Sequence, residues 1–288
     1  KFEGKHYLSR KAGLGASVDL DAWVRTFPGA RARLVYPNGD QFNIGPGSFF
    51  RIETRKDQAD KSQKNIQKES SKEAMTFEYG MVRAIISKSG PRNDFRVRTR
   101  SATMGVRGTD FVVEELGSQK ATSLTLIRGS VSVQPNGTQT IQEVKTGETA
   151  ITEAAKAPEK FATSQTELKR VLVLTEKTQP TAPPAPEVSE KLKELEAQAR
   201  ESTVQDMIQY AKDPAEKVRL EALAKSGADV QKLNAEVVAL RVEKAPEDSP
   251  GLRRIKAEEK LEGKRTEQDL RELEKDPYDK YFDSTQKK

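Results

Sequence analysis

The chain has 288 residues, of which 34% are hydrophobic and 33% charged, with a net charge of +6. A globular domain is usually about 45–50% apolar and about 25% charged, so these apolar residues cannot fill two full cores; one compact domain with extended, solvated helices is expected. With no cysteine and one histidine, disulfides, thiolate metal sites and the common nucleophile–base pairs are excluded. No run approaches the ~18–20 apolar residues that cross a bilayer. The chain opens on Lys1 instead of methionine, which predicts a signal peptide or membrane anchor upstream.

Residues 1–20 read as an irregular extension broken by Gly4, Gly13 and Gly15, and His6 as an exposed, neutral side chain. From Trp23 the pattern is β. Ala22–Thr26 and Ala30–Tyr36 read as strands, Asn38-Gly39 as a hairpin turn into Gln41–Ile44, and Gly45-Pro46-Gly47 as a break before Phe49–Ile52. Residues 54–73 are nearly all polar and read as a surface insertion, because such a composition cannot offset the entropy of ordering. Strands return at Met75–Tyr79 and Met81–Ile86, and Ser89-Gly90-Pro91 turns the chain.

The next stretch, Asp94 to Glu114, holds the densest information. Phe95, Val97 and Thr99 alternate with Arg96, Arg98 and Arg100, so a period-two reading gives a half-buried strand with three guanidinium groups on one face. Gly105, Arg107, Gly108 and Asp110 read as a structural turn, with Arg107 bonding neighbouring carbonyls or Asp110. Strands follow at Phe111–Val113, Thr122–Ile127, Ser130–Val133 and Ile141–Val144, with a turn at Asn136-Gly137. Between Met81 and Gly108 seven basic residues face one aspartate, an excess equal to the whole net charge. Such a stripe attracts anionic partners over about a Debye length.

Three features together resemble the FecR domain: Tyr36 through Ser48; the signature Gly105-Val106-Arg107-Gly108-Thr109-Asp110-Phe111; and the later Ile127-Arg128-Gly129-Ser130-Val131 and Thr146-Gly147-Glu148 units. The resemblance runs from about residue 21 to 151 in five collinear segments. It implies a β-rich module of the Gram-negative cell envelope, an elongated sandwich or solenoid-like coil of about a dozen strands. In the best-known members of that family the domain sits in the periplasm and relays a signal from an outer-membrane transporter to a cytoplasmic sigma factor.

Residues 152–186 read as a connector: Leu168–Leu174 could be a strand or a short helix, and Thr178–Pro186, with four prolines, a stiff linker. Residues 187–288 read as charged α-helix. Val188, Leu192, Leu195 and Ala199 form one narrow stripe, Asp213-Pro214 a helix start and Gly227 a stop. Helices this polar need a partner, either one another or a second protein.

The expected fold class is therefore mainly β, followed by an extended α-helical C-terminal region. No enzymatic activity, cofactor or metal is expected. The arginine row Arg96, Arg98 and Arg100 is either a solvated sheet face or a docking surface. Nucleic acid is an unfavoured partner, since no stacking aromatics accompany the arginines. The first functional expectation is a periplasmic scaffold or assembly protein that docks other envelope proteins, or copies of itself in a ring. One alternative is an anti-sigma-type regulator anchored upstream of residue 1. Another is a module that binds peptidoglycan or another anionic glycan.

Overall fold

The computed structural model describes residues 11–36 except 20, 39–55, 72–87, 95–175, 186–209 and 214–227, together with 211, 253–254 and 256–257. It contains fourteen strands: β1 (Trp23–Arg25), β2 (Ala32–Val35), β3 (Gln41–Ile44), β4 (Phe49–Arg55), β5 (Lys72–Tyr79), β6 (Met81–Ile85), β7 (Phe95–Arg98), β8 (Ala102–Val106), β9 (Asp110–Leu116), β10 (Ala121–Arg128), β11 (Ser130–Pro135), β12 (Gln142–Lys145), β13 (Glu148–Glu153) and β14 (Glu159–Ala162). Three helices follow, α1 (Gln165–Leu174), α2 (Pro186–Gln209) and α3 (Pro214–Lys225). The molecule is mainly β with helices toward its C-terminus.

The strands form two seven-stranded sheets. The front sheet has the order β1-β4-β5-β7-β8-β11-β12, and the back sheet, read from its other end, β2-β3-β6-β9-β10-β13-β14. The chain thus visits the layers alternately, mostly one hairpin at a time, and each sheet grows in sequence order. Its one interruption is β6, a single strand in the back sheet between two front-sheet hairpins. Because the chain crosses the back sheet once there instead of twice, β7 returns beside β5 in the same direction, and β5–β7 is the parallel pair among antiparallel ones.

Period-two alternation points one row of each strand into the space between the sheets. Phe42 and Ile44, Phe50 and Ile52, Met75 and Phe77, Phe95 and Val97, Phe111 and Val113 are buried in one continuous core. Phe42 of the back sheet meets Phe95 of the front sheet, with ring centroids 5.8 Å apart. Each such side chain contributes about 1.5–3 kcal/mol of burial.

Layer crossings pack against each other in pairs. At one end of the strands, Ser48 between β3 and β4 donates to the carbonyls of Gly45 (2.9 Å) and Met81 (3.0 Å) and accepts from the Met81 amide (3.0 Å). Gly80 lies against it with φ +94°, and a Cβ there would stand 2.4 Å from the Ser48 Cα. At the opposite end Gly129, with φ +91°, has Thr109 Cγ2 at 2.7 Å and the Gly108 carbonyl at 2.9 Å from the place a Cβ would take. Neither position admits a side chain.

The back sheet is covered on its outer face as well. Helix α1 begins at Ser164, whose side chain accepts from the Glu167 amide, and it lays Leu168 and Val171 onto Met81, Val112 and Ile127. Arg170 makes a two-pronged ion pair with Glu114 of β9. In the same layer Arg83 of β6 and Asp110 of β9 form a bidentate pair at 2.9 and 2.7 Å, with side chains 1% and 0% exposed. Farther on, Met207 of α2 and Leu220 of α3 are buried together, so part of the helical region folds on itself.

Several expectations require correction. Gly105, read as part of a structural turn, lies inside strand β8. The β4–β5 ladder continues to Arg55↔Lys72, into the ends of the expected insertion 54–73; residues 56–71 lie outside the described residues. Strands continue past residue 151 to β14, while Leu168–Leu174 takes the helical one of its two expected forms, within α1. Most of the proline-rich linker and the helices expected after Gly227 also lie outside the described residues, apart from Pro186 and four residues near 254.

Removing one member of the buried pair leaves a charge with no water and no partner. Asp110→Ala is therefore expected to destabilise the protein by about 3–5 kcal/mol in denaturant unfolding, whereas the double change Arg83→Met, Asp110→Leu stays close to the parent. Burial pushes the carboxyls of Glu115 and Glu167 up from 4.5 to about 7, against hydrogen bonds from Thr122 and Thr149 that lower them. The folded state thus holds protons that the unfolded state releases. The stabilisation from these two groups is complete below about 4.5 and is lost as pH rises through about 7. Thermal unfolding between pH 5 and 8 should show each glutamine variant, Glu115→Gln or Glu167→Gln, lowering the proton linkage by up to about one proton; slopes identical to the parent's would refute the assignment.

Candidate partner-binding face

With the back sheet covered by α1, the outer face of the front sheet is the broad surface left open among the described residues. Its strands show alternation between buried and accessible positions, as in β7 (Phe95 and Val97 buried, Arg96 exposed) and β11 (Val131 and Val133 buried, Ser130 and Ser132 exposed). The pleat places every second side chain of neighbouring strands in rows across this face. One row runs Trp23, Arg51, Thr76, Arg98, Thr103, Gln134, and the adjacent one Ala74, Arg96, Gly105, Ser132, Glu143.

The three arginines expected to act together have different surroundings. Arg98 is half-buried and lies 3.8 Å from Glu53. Glu53 also holds Arg51 at 2.7 Å and accepts from the Thr76 hydroxyl at 2.9 Å. Arg100 is 64% exposed and faces Glu78 at 3.6 Å. It sits on the β7–β8 turn, over a buried polar group in which the Thr122 hydroxyl donates to Glu115 and meets the hydroxyls of Thr99 (2.7 Å) and Ser101 (2.5 Å). Arg96 is exposed, and among the described residues no carboxylate stands against it. Arg96 and Arg98 line a recess with Thr103, Gln134, Asn136 and Thr138. Its wall, the β11–β12 turn, is fixed: Gln134 donates to the Thr138 carbonyl at 2.9 Å, and Asn136 to the carbonyls of Thr99 and Arg100 at 3.1 and 3.0 Å.

Of the four residues read as a structural turn, Gly108 has the positive φ, +59°, that a turn glycine needs. Arg107 is exposed beside it. Gly105 sits inside β8 facing outward, where a Cβ would meet only the Ser132 Cβ at 3.8 Å. Asp110 opens β9, and its partner is Arg83 instead of Arg107.

An aromatic cluster at the β1 side of this face escaped the sequence reading. Trp23 stacks on Phe49 at 4.5 Å, Phe49 on Tyr79 at 5.6 Å, and the Arg51 guanidinium lies 4.9 Å from the centre of the Trp23 ring. The doublet Phe49-Phe50 was the available signal: in a strand, adjacent rings must face opposite ways unless a bulge intervenes, and the register shift here falls between these two residues. Among the described residues no three His, Asp or Glu side chains gather closely enough to hold a metal, and no helix is long and apolar enough to cross a membrane.

Comparison with known proteins adds three findings. No curated protein matches the sequence. Two crystal structures of a protein named as a candidate anti-sigma factor from Parabacteroides distasonis align at 16% identity. One has a TM-score of 0.38 over 50% of this chain and 60% of that one, the other 0.37 over 49% and 59%. The match thus spans about six tenths of that protein's length. Residues 22–132 match the family described as FecR protein, a span that begins just before β1 and ends within β11. The chain thus contains a FecR domain, matched at residues 22–132 of its two-layered sandwich.

Proposed function

We propose that this chain is the sensing and relaying part of an anti-sigma-type regulator, located in the cell envelope and acting by binding other proteins instead of by catalysis. The observation that carries the reading is the FecR match itself, because it covers the strands that build most of the core. The chemistry of the chain agrees with it. Among the described residues, the groups with raised pKa values, Glu115 and Glu167, are held by threonine hydroxyls within the fold. The open front sheet supplies a surface for contact, and the covered back sheet does not.

The scaffold expected first from the sequence has no comparable support, and neither does a glycan-binding role; both rank below the regulator. The helical region adds one detail to the regulatory reading. The guanidinium of Arg254 reaches Glu153 at 3.3 Å and Glu159 at 3.5 Å, and its carbonyl accepts from Gln119 at 3.0 Å. Part of the C-terminal region therefore rests on the end of the sandwich formed by β13 and β14, where it can respond to what the sandwich binds. These ion pairs are partly exposed, so each contributes about 0.2–1 kcal/mol at most.

Transcript profiling of the host with the gene deleted, and with it restored, tests the regulator. Genes that share one alternative-sigma promoter element should shift together, and restoring the chain should reverse the shift. A profile unchanged apart from the deleted gene would overturn the reading and favour the scaffold, which predicts a stable complex in light scattering of envelope extracts and no transcriptional signature.

A further inference from the structure

We propose that the recess on the front sheet binds a carboxylate presented by a protein partner, with Arg96 as its main anchor. This rests on the reading of the chain as a protein-binding regulator and specifies the chemistry of the contact.

Three observations converge on Arg96. The neighbouring guanidinium groups of this face already have carboxylates: Arg51 and Arg98 share Glu53, and Arg100 has Glu78. Arg96 is exposed and, among the described residues, has none. The strand register then sets Arg96 opposite Gly105, and Gly105 opposite Ser132. The guanidinium therefore borders a lane whose next two positions carry no side chain and a short one. Finally, the far wall is already ordered, since Gln134 and Asn136 are held by the carbonyls described above. A ligand entering here immobilises little that is not already fixed, which lowers the entropic cost of binding.

The ligand class follows from the donors. A guanidinium offers a planar fork that matches a carboxylate with two parallel hydrogen bonds. Arg98, at 3.8 Å from Glu53 and partly exposed, makes a weak pair, so an incoming carboxylate can share it. The lining carries hydroxyl and amide groups from Thr103, Gln134 and Asn136 but no aromatic ring. The rings on the outer face of this sheet lie toward β1, β4 and β5, so a base or sugar ring has nothing to stack on in the recess. An aspartate or glutamate side chain on a protein segment fits the charge and the space.

Calorimetric titration of the full chain with a short oligoglutamate peptide tests this, with oligoglutamine and inorganic phosphate as controls. The oligoglutamate should bind with an affinity that falls as salt rises, and oligoglutamine should not bind. Arg96→Gln should weaken binding by at least about tenfold. Gly105→Asp, which sets a carboxylate beside Arg96 where only Ser132 is near, should do the same while leaving the melting temperature unchanged. Arg100→Gln should stay within about twofold of the parent. Equal losses for Arg100→Gln and Arg96→Gln would replace the site with diffuse charge attraction and overturn the proposal. Phosphate binding as tight as the peptide's and equally dependent on Arg96 would overturn the commitment to a carboxylate. A parent chain that ignores the peptide while the transcript profile still responds removes this site and leaves the regulator standing. Binding without any transcriptional response removes the regulator alone.

Discussion

Two pairs of passages from one sheet to the other meet at gaps too narrow for a side chain, and the rest of the structure depends on them. Two crossings meet where Gly80 presses on Ser48, and two more where Gly129 presses on Thr109. Because neighbouring crossings brace each other, the spacing between the sheets is set at both ends of the strands. The alternating rows of phenylalanine, isoleucine and valine then fill a space of fixed width. Ser48 is central to one end, since a single hydroxyl satisfies groups from both crossings. Losing such a buried hydroxyl leaves several polar groups unsatisfied, which costs more than the loss of one contact.

The two layers are unequal, and that inequality gives the domain its direction. The back sheet is enclosed between the core and α1, with β6 and β10 buried along their full lengths. Between the core and α1 it carries ion pairs such as Arg83 with Asp110, fully buried, and Arg170 with Glu114. The front sheet is buried on one face and offers the other to solvent, with an aromatic cluster on one side and an arginine-lined recess on the other. A partner approaching the sandwich broadside therefore meets two chemically distinct surfaces.

Much of this was legible in the sequence, because alternation along a half-buried strand is a direct image of its two faces. Strands β7 and β11 were read nearly residue for residue for that reason. Strand β8 was not, since Gly105 interrupted the pattern and drew attention to turn geometry, while Ala102, Met104 and Val106 kept the period unnoticed. The short apolar run before Leu174 is ambiguous between strand and helix; Ser164-Gln165-Thr166-Glu167, a capping box, was the local signal that decides it. Long-range pairings were beyond pattern reading. Arg83 and Asp110 are 27 residues apart, and Arg83 looks no different in sequence from Arg96, which faces solvent. Glu115 and Glu167 likewise resemble ordinary surface carboxylates until the layers close over them.

The strand order carries one more implication. Within each sheet, every new strand is added at the growing end and none is inserted between two earlier ones. A chain delivered from its N-terminus, whether from the ribosome or through a translocation channel, can lay each hairpin on the preceding one without waiting for later segments. The two layers therefore lengthen together like a ribbon being coiled, and hairpins could be gained or lost at the far end without retying the core. A β-protein built in this order pairs each new strand with one already made. It leaves one unpaired strand edge exposed at each stage, and β14 is the last of these in the back sheet.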